Sequence, residues 1–201
     1  MPTVQHIASF EQLTSQMRLH KMPLPAERFH FRIEDARNVL KQYLGYFLSL
    51  TGEQLQWLPE YEKVADWLSD NKGKGLFLYG NCGRGKSLIT RYVIPAVLLS
   101  YMGKVAGVYD VCRMNSKLDE VLAKNILCLD DIGTEEMIVN YGERRLAFAE
   151  IMDAAEKQGK LVVVSSNLTV EQISRQYGDR VLDRIKSCTT RILFRGESLR
   201  Q

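Results

Sequence analysis

Residues 76–87 read LFLYGNCGRGKS, in which four apolar residues lead directly into a glycine-rich segment. The short apolar run is typical of a strand that is buried on both faces of a sheet. Residues 80–87 match the pattern G-x-x-x-x-G-K-[ST] at every defined position. We expect a helix to begin at about Lys86. A strand, a glycine-rich loop and a helix in this order predict a phosphate-binding loop in an α/β fold, which a chance glycine-rich turn would not produce.

The loop carries the residue types that hold the phosphates of a nucleotide. Its glycines let the backbone N–H groups point inward, and the N-terminus of the following helix adds a positive dipole end. Lys86 can reach the β- and γ-phosphates, and the Ser87 hydroxyl can hold Mg²⁺. We therefore predict a site for ATP with Mg²⁺. The predicted nucleotide-binding residues are Gly80, Asn81, Cys82, Gly83, Arg84, Gly85, Lys86, Ser87 and Leu88.

A pair of aspartates follows a second apolar run, residues 126–129. Such a strand is expected beside the strand of the phosphate loop, so that its terminal carboxylates face the Mg²⁺ position. Asp130 is the predicted metal ligand, and Asp131 the general base that deprotonates the attacking water. Two alternatives stay open. The two aspartates could be a solvated pair at a strand end with no role in catalysis, or Glu135 or Glu136 could be the general base in place of Asp131.

Polar and basic residues further along the chain are candidates for sensing the nucleotide. Asn167 ends the next apolar run and can contact the γ-phosphate or the attacking water, although it or Ser165 can instead cap the strand end. Residues 177–186 are basic with helical spacing. An arginine there can supply charge to the ATP of a neighbouring subunit, or it can belong to a solvated helix face.

Apolar runs and helical stripes alternate along the rest of the chain. Helical spacing begins at residue 34, a further helix is expected over residues 141–158, and strands are expected over residues 105–109, 161–164 and 191–194. Pro95 should kink the helix that follows the loop or begin a new one. This alternation predicts a three-layer αβα sandwich with a mainly parallel sheet, preceded by a partly ordered arm over residues 1–34.

Composition favours an ordinary globular protein. The chain has 201 residues, 45% hydrophobic and 25% charged, with a net charge of +3 that neither requires nor excludes a nucleic-acid partner. The four cysteines show no metal-binding spacing, so neither zinc nor a disulfide framework is expected. No secretory signal and no membrane span is evident, and a cytoplasmic location is predicted.

Several strings together resemble the DnaC/IstB-like branch of the AAA+ ATPases, which contains replicative-helicase loaders and transposition helpers. These strings are the phosphate loop, CLDDIGTE at 128–135, SNL at 166–168, GDRVLDRI at 178–185 and FRGESLR at 194–200. The resemblance covers roughly residues 35–200 and implies a RecA-like core with strand order 5-1-4-3-2 and no C-terminal lid. It also implies that Arg184 is an arginine finger, with Arg180 as the second candidate for that role.

By the same resemblance, residues 35–201 form an ATPase domain that self-associates into an ATP-dependent oligomer or spiral. The expected partners are single-stranded DNA and a replicative helicase or a transposase. The chain departs from the family in having few residues before the core and only a short segment, 110–124, where a DNA-contacting insertion is expected. Arg200 stands where some members place a second sensor.

Three other functions stay open from the sequence. The chain could be a transposition or mobile-element helper ATPase, or a nucleotide-gated DNA-binding module with little turnover. A small-molecule kinase would use the same loop, but the paired aspartates and Asn167 favour water as the acceptor.

Basic residues that could contact DNA phosphates lie near the C-terminus and before the first strand. They are Arg175, Arg180, Arg184, Lys186, Arg191, Arg195, Arg200, Lys72 and Lys74.

Overall fold

The computed structural model describes residues 9–134, 138–140, 143–145 and 147–199. The strands among these residues are β1 (Gly75–Gly80), β2 (Gly107–Asp110), β3 (Ile126–Ile132), β4 (Ile138–Asn140), β5 (Glu143–Arg145), β6 (Leu161–Ser166) and β7 (Thr189–Phe194). The α-helices are α1 (Phe10–Leu19), α2 (Ala36–Ser49), α3 (Pro59–Ser69), α4 (Lys86–Leu88), α5 (Ile94–Met102), α6 (Val111–Ser116), α7 (Leu118–Leu122), α8 (Ala147–Gln158), α9 (Val170–Tyr177) and α10 (Asp179–Cys188).

Five strands form one parallel sheet in the order β2-β3-β6-β1-β7. Counting only these strands along the chain, the order is 2-3-4-1-5, so the expected order 5-1-4-3-2 is confirmed. One expectation was wrong: β3 does not adjoin β1, because β6 lies between them. The residues of β6 are buried on both faces, as a central position in the sheet requires.

Side chains from the two faces of the sheet enter two separate hydrophobic clusters. Leu76 and Leu78 of β1 join the cluster beneath α2, α3 and α5, whereas Phe77 points to the opposite cluster beneath α6 to α10. Alternation along a strand sends neighbouring residues to opposite faces, and here both faces are covered. The predicted three-layer αβα sandwich is therefore confirmed.

The helix after the phosphate loop contains an irregular turn. It begins as α4, passes through a π-helical turn at Ile89–Val93 and continues as α5. Pro95 lies in the first turn of α5, where the missing N–H of proline is tolerated. The expectation that Pro95 begins a new helical segment is thus confirmed.

The predicted helix over residues 141–158 was wrong at its N-terminal end. Residues 143–145 form β5, which pairs antiparallel with β4, and the helix begins only at Ala147. Strand pairing supplies backbone hydrogen bonds that a helix would otherwise have to provide, and the buried stripe of α8 starts at Ala147 and Phe148. The competing acidic candidates Glu135 and Glu136 lie outside the described residues.

Residues upstream of the proposed domain boundary at residue 35 contribute to the core. Phe31 and Ile33 are buried, and Phe31 packs edge-on against Trp67 of α3 with ring centroids 5.2 Å apart. Asn71 holds this segment by accepting from Phe31 N–H at 2.9 Å. Helix α1, by contrast, buries none of its residues. Within the described residues no helix has the length and apolar character needed to cross a bilayer.

Candidate functional site

The site is an open cavity at the carboxyl ends of β1, β3 and β6. Its volume of about 1340 Å³ accommodates a nucleoside triphosphate, since small-molecule sites typically span roughly 300–1,000 Å³. The predicted site residues that line this cavity are Cys82, Gly83, Gly85, Lys86, Ser87, Leu88, Asp130, Asp131 and Asn167. Three segments that are distant in sequence therefore meet at one edge of the sheet, as expected for a parallel α/β fold.

The Lys86 side chain is folded back over the phosphate loop. Its Nζ donates to the carbonyl oxygens of Gly80 at 2.8 Å and Asn81 at 2.6 Å. The residue is only 5% exposed. These bonds fix the ammonium group above the loop, where it can exchange a carbonyl for a phosphate oxygen at small conformational cost.

A β-bulge brings both aspartates to the cavity. Consecutive residues of a regular strand point to opposite faces of the sheet, so only one of Asp130 and Asp131 would reach one site. The register between β3 and β6 shifts between Leu129 and Ile132, and Asp131 adopts a left-handed backbone with φ of 59°. Bulges re-aim side chains, and strained backbone of this kind is concentrated at functional sites.

The Ser165 hydroxyl joins the two aspartates. It accepts from Asp131 N–H at 3.0 Å and donates to Asp130 Oδ1 in a short hydrogen bond. Because Ser165 and Asp130 are buried, this bond orients the carboxylate with little competition from water. Ser165 therefore positions both acidic groups, a role that its place near a strand end did not predict.

Asp131 is the more exposed of the two carboxylates, and its pKa is shifted. Its Oδ1 accepts from Asn167 Nδ2 at 2.7 Å. Burial, and then the negative charge of Asp130, raise the pKa of Asp131 above its usual value, while the Lys86 ammonium group partly offsets both effects. A carboxylate whose pKa is raised is a better proton acceptor at neutral pH.

Arg91 is a cavity-lining residue that no sequence motif identified. It lies in the π-helical turn, and its Nη1 is 3.4 Å from Asp130 Oδ2. π-Helical turns inside α-helices often occur at functional sites, because they change the direction of the side chains that follow. The only signal in the sequence is a lone arginine in an otherwise apolar stretch after the loop.

The far end of the cavity is formed by the loop between α2 and α3. Tyr92 also lines this end, and its ring packs against the ring of Phe47 with centroids 5.7 Å apart. This end presents amide, hydroxyl and aromatic groups, which suit a nucleoside base and ribose. The residues lining this end are Leu48, Thr51, Gly52, Glu53, Gln54, Gln56 and Tyr92, whereas Tyr61 and Leu199 line the cavity beside the phosphate loop, where Tyr61 Oη donates to Arg84 O and Leu199 N–H donates to Gly83 O. No motif in the sequence predicted the residues at this end.

Oxygen ligands for Mg²⁺ are present in the cavity. Mg²⁺ prefers carboxylate, hydroxyl and phosphate oxygens, and it is usually held by one or two carboxylates together with substrate phosphates. Ser87 and Asp130 both line the cavity. This donor set therefore fits the metal that the sequence predicts.

Two predicted arginines lie away from this cavity. Arg184 Nε contacts Glu156 Oε2 at 2.8 Å and Asp153 Oδ1 at 3.1 Å, which ties α10 to α8. Arg180 Nη2 contacts Asp153 Oδ2 at 2.8 Å. Neither arginine lines the cavity of its own chain, and an arginine finger would have to act on another copy. Gly80, Asn81 and Arg84 also do not line it.

This chain is similar to several solved structures. The DnaC helicase loader is 18% identical, with a TM-score of 0.51 over 82% of this chain and 93% of that one. DnaI is 20% identical, with a TM-score of 0.48 over 80% and 86% of the two chains. A primosome component from Streptococcus pyogenes serotype M3 is 18% identical, with a TM-score of 0.47 over 83% and 81%.

No protein-family model matches the chain, and no curated protein sequence matches it. The likeness to the DnaC helicase loader therefore shows the fold. The chain has the P-loop fold of the DnaC helicase loader, and at the level of the fold the resemblance seen in the sequence is confirmed.

Proposed function

We propose that this chain, which has the fold of the DnaC helicase loader, binds ATP with Mg²⁺ and hydrolyses it. One observation carries the proposal: Lys86, Asp131 and Asn167 come from three separate strand ends, and all line one cavity that is large enough for a nucleotide. A solvated pair of aspartates would not need a left-handed backbone, a bulge and a bridging hydroxyl to aim both carboxylates at the same space.

Binding is expected to use the loop that follows β1. The Lys86 ammonium group exchanges one of its two loop carbonyls for an oxygen of the β- or γ-phosphate. Ser87 and Asp130 would hold Mg²⁺, which neutralises phosphate charge when bound. The loop between α2 and α3, with Tyr92, receives the base and ribose. In this arrangement ATP spans the cavity, with its phosphates at the carboxyl edge of the sheet and its base at the loop between α2 and α3.

Hydrolysis is assigned to Asp131, with Asn167 as its partner. Asp131 accepts a proton from a water molecule, whose oxygen forms a bond to the γ-phosphorus while the bond from that phosphorus to the β–γ bridging oxygen breaks. The products are ADP and inorganic phosphate, and the proton passes from Asp131 to solvent. Asn167 Nδ2, at 2.7 Å from Asp131 Oδ1, keeps the carboxylate in place.

Equilibrium binding and phosphate release together test this proposal. A fluorescent ATP analogue should bind the full chain saturably only when Mg²⁺ is present, and ATP should release phosphate faster than in a blank. Asp131→Asn should bind the analogue normally and release no phosphate above the blank. The absence of saturable binding by the wild-type chain would reject the proposal, and unchanged turnover in Asp131→Asn would reject the assigned base.

The biological role that we propose is loading of a ring helicase on single-stranded DNA. The DnaC helicase loader, whose fold this chain shares, carries that role in its name. Basic residues are exposed on the described C-terminal elements, including Arg175, Lys186 and Arg191. Capture of the native chain with its partner separates this role from the alternative: a replicative helicase supports loading, and a transposase supports a transposition helper.

A further inference from the structure

Residues 194–199, here called the C-terminal strap, run alongside the phosphate loop. Asn81 N–H donates to Phe194 O at 2.9 Å, and Asn81 Nδ2 donates to Gly196 O at 2.8 Å. Leu199 N–H in turn donates to Gly83 O at 2.9 Å. Backbone groups of the strap and of the loop thus satisfy each other, and the loop is bound along its outer side.

A buried ion pair fastens the strap and the loop to α3. Arg84 Nη2 is 3.1 Å from both carboxylate oxygens of Glu60, and Arg84 Nη1 donates to Glu197 O at 3.1 Å. Glu60 Oε1 also accepts from Arg195 N–H at 2.9 Å. The two side chains are only 10% and 9% exposed. Each charge therefore depends on the other, because a single buried charge is costly.

The acidity of Glu60 is consistent with this arrangement. Burial alone would raise the pKa of Glu60, but the Arg195 N–H and the Arg84 guanidinium outweigh it and hold the pKa below its usual value. Glu60 is thus ionised at neutral pH and serves as the acceptor for the loop and the strap together.

Glycine permits the close contact between loop and strap. Gly83 has φ of 72°, and a Cβ at that position would overlap the side chain of Ser198. Gly83 also lines the nucleotide cavity. A displacement of the strap would therefore change the contacts of Gly83, a residue that lines the nucleotide cavity.

We infer that Arg84 is a positioning residue: held by Glu60, it ties the phosphate loop to the C-terminal strap and sets the shape of the loop that receives the phosphates. Its guanidinium group bonds to Glu60 and Glu197 O, and Arg84 is not among the residues that line the cavity. The inference rests on the proposed nucleotide binding. By linkage, nucleotide binding must tighten the strap as much as the strap tightens nucleotide binding.

Glu60→Gln tests the inference with two measurements on the full chain. The affinity for the fluorescent ATP analogue should fall about tenfold, a typical coupling between linked sites. Trypsin cleavage after Arg195 should be slowed by saturating ATP in the wild-type chain and much less in Glu60→Gln. A merely structural role would leave the nucleotide dependence of cleavage at this bond unchanged.

Asp66→Asn is the matched control, because it removes an exposed carboxylate from the same helix, α3. It should bind the analogue as the wild type does. Arg84→Lys keeps the positive charge but lacks the forked guanidinium whose two nitrogens reach Glu197 O and Glu60. It is the second variant to test if Glu60→Gln does not fold.

The outcomes separate this inference from the proposed function. If the wild-type chain binds no nucleotide, the proposed function fails. If the wild type binds nucleotide and the folded Glu60→Gln or Arg84→Lys chain binds it equally well, with equal protection after Arg195, the inference is overturned and the proposed function stands. Weakened binding with lost protection, in a chain whose other tryptic sites are cleaved at the wild-type rate, supports the inference.

Discussion

Asn167 Nδ2 lies 2.7 Å from Asp131 Oδ1, so that the ends of two neighbouring strands present an amide and a carboxylate as one unit. Ser165, two residues before Asn167, accepts from the Asp131 N–H at 3.0 Å. The strained backbone of Asp131 is thus held from both its amide and its side chain. We interpret this pair as the proton-accepting end of the ATP site, and it leads to the first prediction.

Replacing Asp131 by Asn should separate binding from turnover. The amide cannot accept the proton of the attacking water, so phosphate release should fall by about 10²–10⁴-fold, while the affinity for the ATP analogue stays near the wild-type value. Single-turnover phosphate release and equilibrium titration are the measurements. Asp119→Asn, which changes an exposed carboxylate on α7, should alter neither.

The same substitution should stabilise the chain at neutral pH. The folded-state pKa of Asp131 is raised, so ionisation costs folding free energy; this cost builds up as the pH rises above the ordinary pKa of 3.8 and is complete above the raised folded-state pKa. Asn removes this cost, and it also tolerates left-handed backbone. Asp131→Asn should therefore melt above the wild type at pH 7, and the gain should shrink as the pH falls through the raised folded-state pKa and vanish below the ordinary pKa of 3.8, where Asp131 is protonated in both states. A gain that grows on acidification would contradict the assigned shift.

Lys86→Ala should weaken nucleotide binding. The substitution removes the ammonium group that faces the β- and γ-phosphates, and charge-assisted hydrogen bonds of this kind contribute about 1.5–3 kcal/mol each. We expect the affinity for the analogue to fall by at least about tenfold. Lys104→Ala, at an exposed position after α5, is the control and should bind normally. Retained affinity in Lys86→Ala would place the phosphates elsewhere.

Arg91→Ala should change the response to Mg²⁺. Arg91 Nη1 is 3.4 Å from Asp130 Oδ2, and Ser165 already holds the other carboxylate oxygen. Removing a competing cation from the predicted metal ligand should lower the Mg²⁺ concentration needed for half-maximal analogue binding. Because Arg91 is 41% exposed, the change should be modest, up to about fivefold. A higher Mg²⁺ requirement would show instead that Arg91 orients Asp130 for the metal.

Arg184→Ala should reduce turnover only when copies of the chain assemble. Arg184 does not line the cavity of its own chain, so it can act only on the ATP of a neighbour. Phosphate release should be measured across protein concentrations beside sedimentation. Arg180→Ala is the comparison, since it also loses a contact with Asp153. If Arg184→Ala lowers turnover in dilute monomer as much as in the assembled chain, Arg184 acts only through the ion pairs between α8 and α10.

Single-stranded DNA should bind in the presence of ATP, and the binding should depend on salt. Lys186 and Arg191 are exposed on α10 and on the edge strand β7. For two to three phosphate contacts, the apparent affinity should fall about tenfold between roughly 50 and 200 mM salt. Filter binding with a DNA oligonucleotide measures this, and replacing both residues by Ala should flatten the dependence. DNA binding that does not change with salt concentration would contradict the prediction that Lys186 and Arg191 contact DNA phosphates.

Local patterns in the sequence predicted the parts of the molecule that are themselves local. The loop after β1 and the apolar cores of β3 and β6 follow from residue types within a few positions of each other. Hydrogen bonding and burial along one segment suffice for such features. The hairpin of β4 and β5 was missed because it depends on pairing between two segments.

The amino-acid sequence alone therefore determined the phosphate loop, the three-layer arrangement and the identity of the acidic pair. Only the tertiary structure decided that β6 separates β1 from β3, that a bulge turns Asp130 and Asp131 toward one cavity, and that Arg91 faces Asp130. It also decided that Arg84 faces Glu60 and the C-terminal strap. The physical reason is that side-chain direction at a bulge, a π-helical turn or a buried ion pair depends on partners that are remote in sequence.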